Sequence, residues 1–174
     1  MVIWITGISG AGKTVLGDAL YGLLKGNLPE LVLLDGDSVR EVFGHDLGHT
    51  EAERVRQIQR IRNLARMMSE QGLVPIVSAL YSHPDVMAAN RATLQNYFEV
   101  CIDAPLSLVR SRDDKGLYAA FDAGEIRDVV GLDIHWHRPL QPDLSIDAAA
   151  GVTPEELARR VARAIPRLSA ALPV

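Results

Sequence analysis

With 174 residues and a mass of 19.0 kDa, the chain is long enough to bury one core and short for two, so a single domain over residues 1–174 is expected. Hydrophobic residues make up 48% of it and charged ones 23%, which excludes a disordered or fibrous chain, and the net charge of -4 repels a polyanion and argues against a nucleic-acid polymer as partner. Cys101 is the only cysteine, which excludes an intrachain disulfide and a cysteine-rich zinc site and fits a reducing, cytoplasmic compartment.

The first predicted element is a strand over residues 2–6, the run Val2-Ile3-Trp4-Ile5-Thr6. No basic stretch, long apolar run and small-residue cleavage site stand there, so an export signal is not expected. No apolar run elsewhere approaches the roughly 20 residues that span a bilayer, so no membrane partner is expected either. The strand leads into Gly7-Ile8-Ser9-Gly10-Ala11-Gly12-Lys13-Thr14, and a helix is predicted over residues 13–25. This is the G-x-x-x-x-G-K-[ST] pattern in its required context of strand before and helix after. Its glycines let successive N–H groups turn inward around phosphate oxygens, and the helix start adds partial positive charge. Gly7, Ser9, Gly10, Ala11, Gly12, Lys13 and Thr14 are therefore the candidate ATP cradle. Lys13 is expected on the β- and γ-phosphates and the Thr14 hydroxyl on the magnesium ion bridging them.

A second strand is predicted over residues 31–35, and at its carboxyl end stands Asp35-Gly36-Asp37. Two carboxylates on the edge that carries the phosphate loop suit a phosphoryl transfer: one acts through magnesium and water, the other on the proton of an attacking hydroxyl. The plainer reading is an Asp-Gly turn capping the short helix that follows. Next comes a helix over residues 50–71, opened by the capping box Thr50 and Glu53 and carrying Val55, Ile58, Ile61 and Leu64 at helical spacing. The third strand, residues 73–78, contains Pro75, which removes a ladder donor and predicts a local irregularity. Further elements are a helix at 85–95, a strand at 98–102, a helix at 105–112, a strand at 144–146 and a helix at 154–169. The last starts with Thr153 as cap and Pro154 at the first helical position. Residues 115–142 show no period and are predicted to form a mobile lid.

Strands that are continuously apolar and alternate with helices predict an α/β fold with a central, mainly parallel sheet of about five strands, in three layers. His135-Trp136-His137 places two imidazoles on one side of an extended segment, but no further metal ligands stand near them in the sequence.

The spaced set of the phosphate loop, Asp35-Gly36-Asp37 with Arg40, Asp46-Leu47-Gly48, Arg54, Lys115-Gly116-Leu117-Tyr118, Gly124-Glu125-Ile126 and Gly131-Leu132-Asp133 resembles the adenylyl-sulfate kinase family, from residue 1 to about 147. The resemblance implies a P-loop NTPase fold, ATP and Mg2+ as cofactors, a homodimer, and transfer of the ATP γ-phosphate to a sugar hydroxyl of a small nucleotide-linked acceptor. It also implies that Asp37 handles the acceptor hydroxyl, Asp35 the magnesium shell, and Arg40 and Arg54 the acceptor's anionic groups, with Lys115 closing over the phosphates. Gly116 and Leu117 follow Lys115 at the acceptor. Arg112 has two open readings, a contact to the ATP base or phosphates and a solvated charge.

The chain departs from the family pattern on the acceptor side. His49 and Val129 stand where the family carries two phenylalanines that sandwich the acceptor's adenine, Gln57 where an Asn is usual, Gln59 where an Arg is usual, and Leu80-Tyr81-Ser82-His83-Pro84 where the family has Ser-Pro-Tyr. Valine offers no π-face, so the platform for a purine is reduced. The run from Gly124 to Asp133 is similar to the branch that phosphorylates cytidine diphosphoramidate, which makes a cytidine diphosphate derivative an acceptor to weigh against adenylyl sulfate. The alternative is a non-catalytic nucleotide-binding regulator of the same fold. A GTP-driven switch lacks its Asn-Lys-x-Asp segment.

Overall fold

The strand β1 (Val2–Gly7) is buried at all six positions, because helices cover both of its faces. Side chains alternate along a strand, so Ile3 and Ile5 enter one apolar cluster while Val2 and Trp4 enter another. The computed structural model describes residues 1–113 and 115–173. Within them β2 (Leu31–Asp35), β3 (Val74–Ser78), β4 (Tyr97–Asp103) and β5 (Leu144–Asp147) join β1 in an all-parallel sheet of order β2-β3-β1-β4-β5.

The helices are α1 (Lys13–Leu24), α2 (Gly36–Val42), α3 (Glu51–Glu70), α4 (Pro84–Thr93), α5 (Leu106–Arg112), α6 (Leu117–Asp122), α7 (Pro154–Ala164) and α8 (Pro166–Ser169). On one face of the sheet α1 places Leu16, Leu20 and Leu24 four residues apart against Ala158, Val161 and Ala162 of α7. Each buried leucine contributes about 2 kcal/mol of hydrophobic stabilisation. On the other face Ile58, Ile61 and Ala65 of α3 and Val86 and Met87 of α4 cover Trp4 and Val77. The result is the expected α/β/α layering.

Three elements differ from the sequence reading. Pro75 sits in the regular register of β3, opposite Val32. The Val74 amide donates toward β2, to the Glu30 carbonyl at 2.9 Å, so the next nitrogen, that of Pro75, lies on the β1 side, where pairing begins only at Ile76. No ladder bond is lost there. The predicted helix over 154–169 breaks at Ile165, whose φ of -118° and ψ of 111° are what a residue before proline is driven to; α8 starts afresh at Pro166. Finally, the stretch 115–142, read as structureless, contains α6 and a bridge between Val130 and Ile134. Six helical residues are too few to show a period.

Candidate active site

The phosphate loop leaves the carboxyl end of β1, the central strand. At Gly7 a Cβ would stand 2.8 Å from the Ile102 carbonyl oxygen of neighbouring β4, so only glycine passes there. At Gly12, the N-cap of α1, a Cβ would meet nothing within 4 Å, but φ is 96°; that requirement is one of backbone conformation. Inside the loop the Ala11 amide donates to the Ile8 carbonyl at 3.1 Å and Lys13 Nζ to the same oxygen at 3.0 Å. Ser9, Gly10, Gly12, Lys13 and Thr14 line a cavity of about 570 Å³, with Gly7 and Ala11 buried. Burial lowers the Lys13 ammonium to about 8, a shift that Asp37 and Asp35 partly oppose and Lys115 reinforces.

Asp35 ends β2 and serves two neighbours at once. Its Oδ1 accepts from the amides of Asp37 at 2.9 Å and Ser38 at 3.3 Å, capping α2, while the Thr14 hydroxyl donates to its Oδ2 at 2.9 Å. The capping reading and the site reading of Asp-Gly-Asp are therefore compatible. Asp37, in the first turn of α2, reaches Lys115 Nζ at 3.1 Å, and both side chains are exposed to solvent. Lys115 stands just ahead of Gly116, the left-handed N-cap of α6, and Leu117 opens that helix. Asp113 fixes this start by accepting from the amides of Tyr118 at 3.1 Å and Ala119 at 2.9 Å.

The predicted acceptor residues other than Gly116 line the same cavity, and much of their hydrogen bonding is to backbone. Arg40 Nη1 donates to the Leu47 and Gly48 carbonyls at 2.9 and 3.0 Å. Arg54 donates through Nε to the His49 carbonyl at 2.8 Å and through Nη2 to the Asp128 carbonyl at 2.6 Å, tying α3 to the segment that carries Val129. Gln57 is buried and gives its amide to the Gly36 carbonyl at 3.2 Å. His49 is held below its ordinary value by burial, then by Arg40 and Arg54; its neutral form is favoured. Val129 is buried in the cavity wall. Gln59 is exposed on the far side of α3. Arg112 lines the cavity and donates to the Ala148 carbonyl at 3.3 Å.

Three residues that the motif reading left without a role shape the site. The Asp133 carboxylate accepts from the amides of Asp128 at 2.8 Å and Val129 at 2.6 Å, holding Asp128 at a φ of 61°. Tyr81 lines the cavity between β3 and α4. Tyr118 is buried, with its hydroxyl donating to the Ser9 carbonyl at 2.9 Å. The signal for Asp133 and Tyr118 was their place inside spaced motifs; the contacts themselves have no sequence signature. His83, His135 and His137 gather nearby, with adjacent ring centroids 4.7 Å apart, yet among the described residues no group of three or more His, Cys, Asp or Glu is arranged to hold a metal ion.

The adenylylsulphate kinase family matches the chain over residues 1–147, from β1 to the end of β5. The chain belongs to the adenylyl-sulfate kinase family. It is 41% identical over 145 residues to an adenylyl-sulfate kinase of Deinococcus deserti, covering 83% of this chain and 80% of the relative. It is 36% identical over 146 residues to a cytidine diphosphoramidate kinase of Campylobacter jejuni, covering 84% and 85%. Among solved structures, an APS kinase of Mycobacterium tuberculosis in complex with AMPPNP and APS superposes with a TM-score of 0.86 at 31% identity, over 94% of this chain and 95% of that one. The adenylyl-sulfate kinases are phosphotransferases that act on a hydroxyl group, and the chain shares their P-loop kinase fold.

Proposed function

We propose that residues 1–174 act as one kinase domain that transfers the γ-phosphate of ATP to a sugar hydroxyl of a small nucleotide-linked acceptor. The observation that carries this reading is the meeting of Asp37 and Lys115 beside the phosphate loop: a carboxylate and an ammonium 3.1 Å apart at the rim of a cavity that Lys13 also lines. Asp37 takes the proton of the acceptor hydroxyl as its oxygen attacks the γ-phosphorus. The bond to the β,γ-bridging oxygen breaks, and ADP leaves with that electron pair. Lys13 and Lys115 offset the charge spread over the transferring group. Arg40 and Arg54, each with N–H groups beyond those given to backbone carbonyls, neutralise the acceptor's anionic groups, and Arg112 lies at the nucleotide.

Thr14 Oγ1 and Asp35 Oδ2, 2.9 Å apart at the start of α1, form a hard oxygen pair of the kind magnesium takes. These two residues would hold the ion, which would offset the negative charge of the polyphosphate.

The acceptor is adenylyl sulfate or a cytidine diphosphate derivative such as cytidine diphosphoramidate. His49 and Val129 support the smaller base, because the buried valine leaves one wall without a stacking ring. Incubating purified protein with ATP, magnesium and each acceptor, with identification of the products, tests the reading. Phosphorylation of either acceptor supports it and names the base; rapid turnover of adenylyl sulfate at micromolar levels removes the preference for cytidine. ATP binding with no acceptor-dependent consumption would instead favour the regulator. Assembly as a homodimer and a cytoplasmic location belong to the same proposal. Among the described residues no helix is long and apolar enough to cross a membrane.

A further inference from the structure

Two successive carbonyls of the phosphate loop are held, and they are held from different places. The Ile8 oxygen is bound within the loop, by the Ala11 amide and Lys13 Nζ. The Ser9 oxygen is bound from outside it, by the Tyr118 hydroxyl at 2.9 Å across 109 positions of sequence. A trans peptide points its C=O and the following N–H in opposite directions. Fixing the Ser9 oxygen toward Tyr118 therefore fixes the Gly10 N–H away from it. Gly10 has a φ of 77° and lines the cavity, and among the described residues its N–H has no hydrogen-bond acceptor. The glycine on one side of this peptide lowers the cost of rotating it, so without the Tyr118 hydroxyl the Ser9–Gly10 unit is free to turn its N–H elsewhere.

Tyr118 itself is well placed to hold it. The side chain is 3% exposed, its backbone amide is fixed by Asp113, and the Arg110 guanidinium lies 5.9 Å from its ring centroid. It stands three residues after Lys115, on the helix that follows it.

We propose that Tyr118 is a positioning residue for phosphate binding: its hydroxyl orients the Ser9–Gly10 peptide so that the Gly10 N–H faces the polyphosphate, which links the cradle to the α6 segment that presents Lys115. This rests on the kinase reading for its purpose, but it is read by binding alone and needs no turnover. Tyr118→Phe keeps the ring and removes one oxygen. Calorimetry with ATP and with inorganic tripolyphosphate on the parent and the variant gives the test, beside amide resonances of 15N-labelled protein. The expected result is about a tenfold weaker affinity for both ligands, one charge-assisted hydrogen bond's worth, in a variant that stays folded with a melting temperature lowered by only a few degrees. The Gly10 amide resonance should move on tripolyphosphate addition in the parent and move much less in the variant. Affinities within twofold of the parent, a loss for ATP but not for tripolyphosphate, or an unaltered Gly10 response each overturn the proposal. Absence of kinase activity toward every acceptor, with these binding differences intact, would sink the functional reading and leave this one standing.

Discussion

Lys115 Nζ and Asp37 Oδ2 meet at 3.1 Å although 78 positions separate them, so the segment after α5 closes onto the start of α2. Both side chains are exposed, at 84% and 79%, and an exposed pair of this kind adds little to stability. Asp37→Asn should therefore leave the melting temperature and the ATP affinity unchanged while lowering turnover by about 10²–10⁴-fold, the range for loss of a general base. Steady-state rates beside calorimetry check this, and a matching loss of ATP affinity would move Asp37 from the chemistry to the cradle.

The low value of Lys13, about 8, predicts a pH dependence of nucleotide binding. Burial favours the neutral amine in the free protein, so as pH rises through about 8 the ammonium is lost before ATP arrives. The apparent Kd for ATP should climb toward tenfold per pH unit above that point. Lys13→Arg stays charged throughout this range, so its Kd, whatever its absolute value, should show no such inflection.

Thr14→Val keeps the shape of the side chain and removes the hydroxyl that faces Asp35. The magnesium concentration giving half-maximal activity should rise about tenfold. Binding of ATP in the presence of chelator should stay as in the parent, which separates loss of the oxygen ligand from damage to the loop.

Gly131 packs against the phosphate loop so closely that a Cβ there would lie 2.3 Å from Ile8 Cδ1, and its φ is 93°. Gly131→Ala should cost about 1–3 kcal/mol in denaturant unfolding. Adding Ile8→Val, which removes the Cδ1, should return the steric share and leave the backbone share. An alanine variant as stable as the parent would show that the loops part easily.

Stability should fall as the solution is acidified below pH 6.5. The folded chain holds His49 below its ordinary value, first through burial and then through Arg40 and Arg54, and His137 is lowered as well. The unfolded chain then takes up protons first, so this contribution is intact above 6.5 and drains away beneath it. The lowered carboxylates of Asp46, Glu53 and Asp133 act only in the more acidic range where they protonate. Melting temperatures at pH 7.5 and 5.5 should differ less in His49→Gln than in the parent.

The strands and long helices were legible because their signals are local. Apolar runs such as Val2-Ile3-Trp4-Ile5 and the capping box at Thr50 need no knowledge of neighbours. Pro75 was harder, since its harmlessness depends on which side of β3 a single nitrogen faces. The break before Pro166 was written in the sequence, but the apolar stripe that continues through Ile165 and Leu168 masked it: both remain buried in the same cluster. In the site, the residue types suited to phosphate stand out by pattern, and the structure gathers them on one cavity. The partners of Arg40 and Arg54 do not stand out, because a guanidinium that serves a backbone carbonyl looks in sequence like one that serves a ligand. The links from Tyr118 to Ser9 and from Asp133 to Val129 arise only when separated segments fold together.

The two halves of the cavity differ in how they are encoded. One uninterrupted octapeptide forms the glycine-rich loop on one side, whereas the opposite wall is assembled from the stretch around His49, the turn at Tyr81 and the strip from Ile126 to Val130. A substitution in any one of those three pieces therefore reshapes that wall while the octapeptide stays intact, and a search keyed on the glycine-rich signature does not register it.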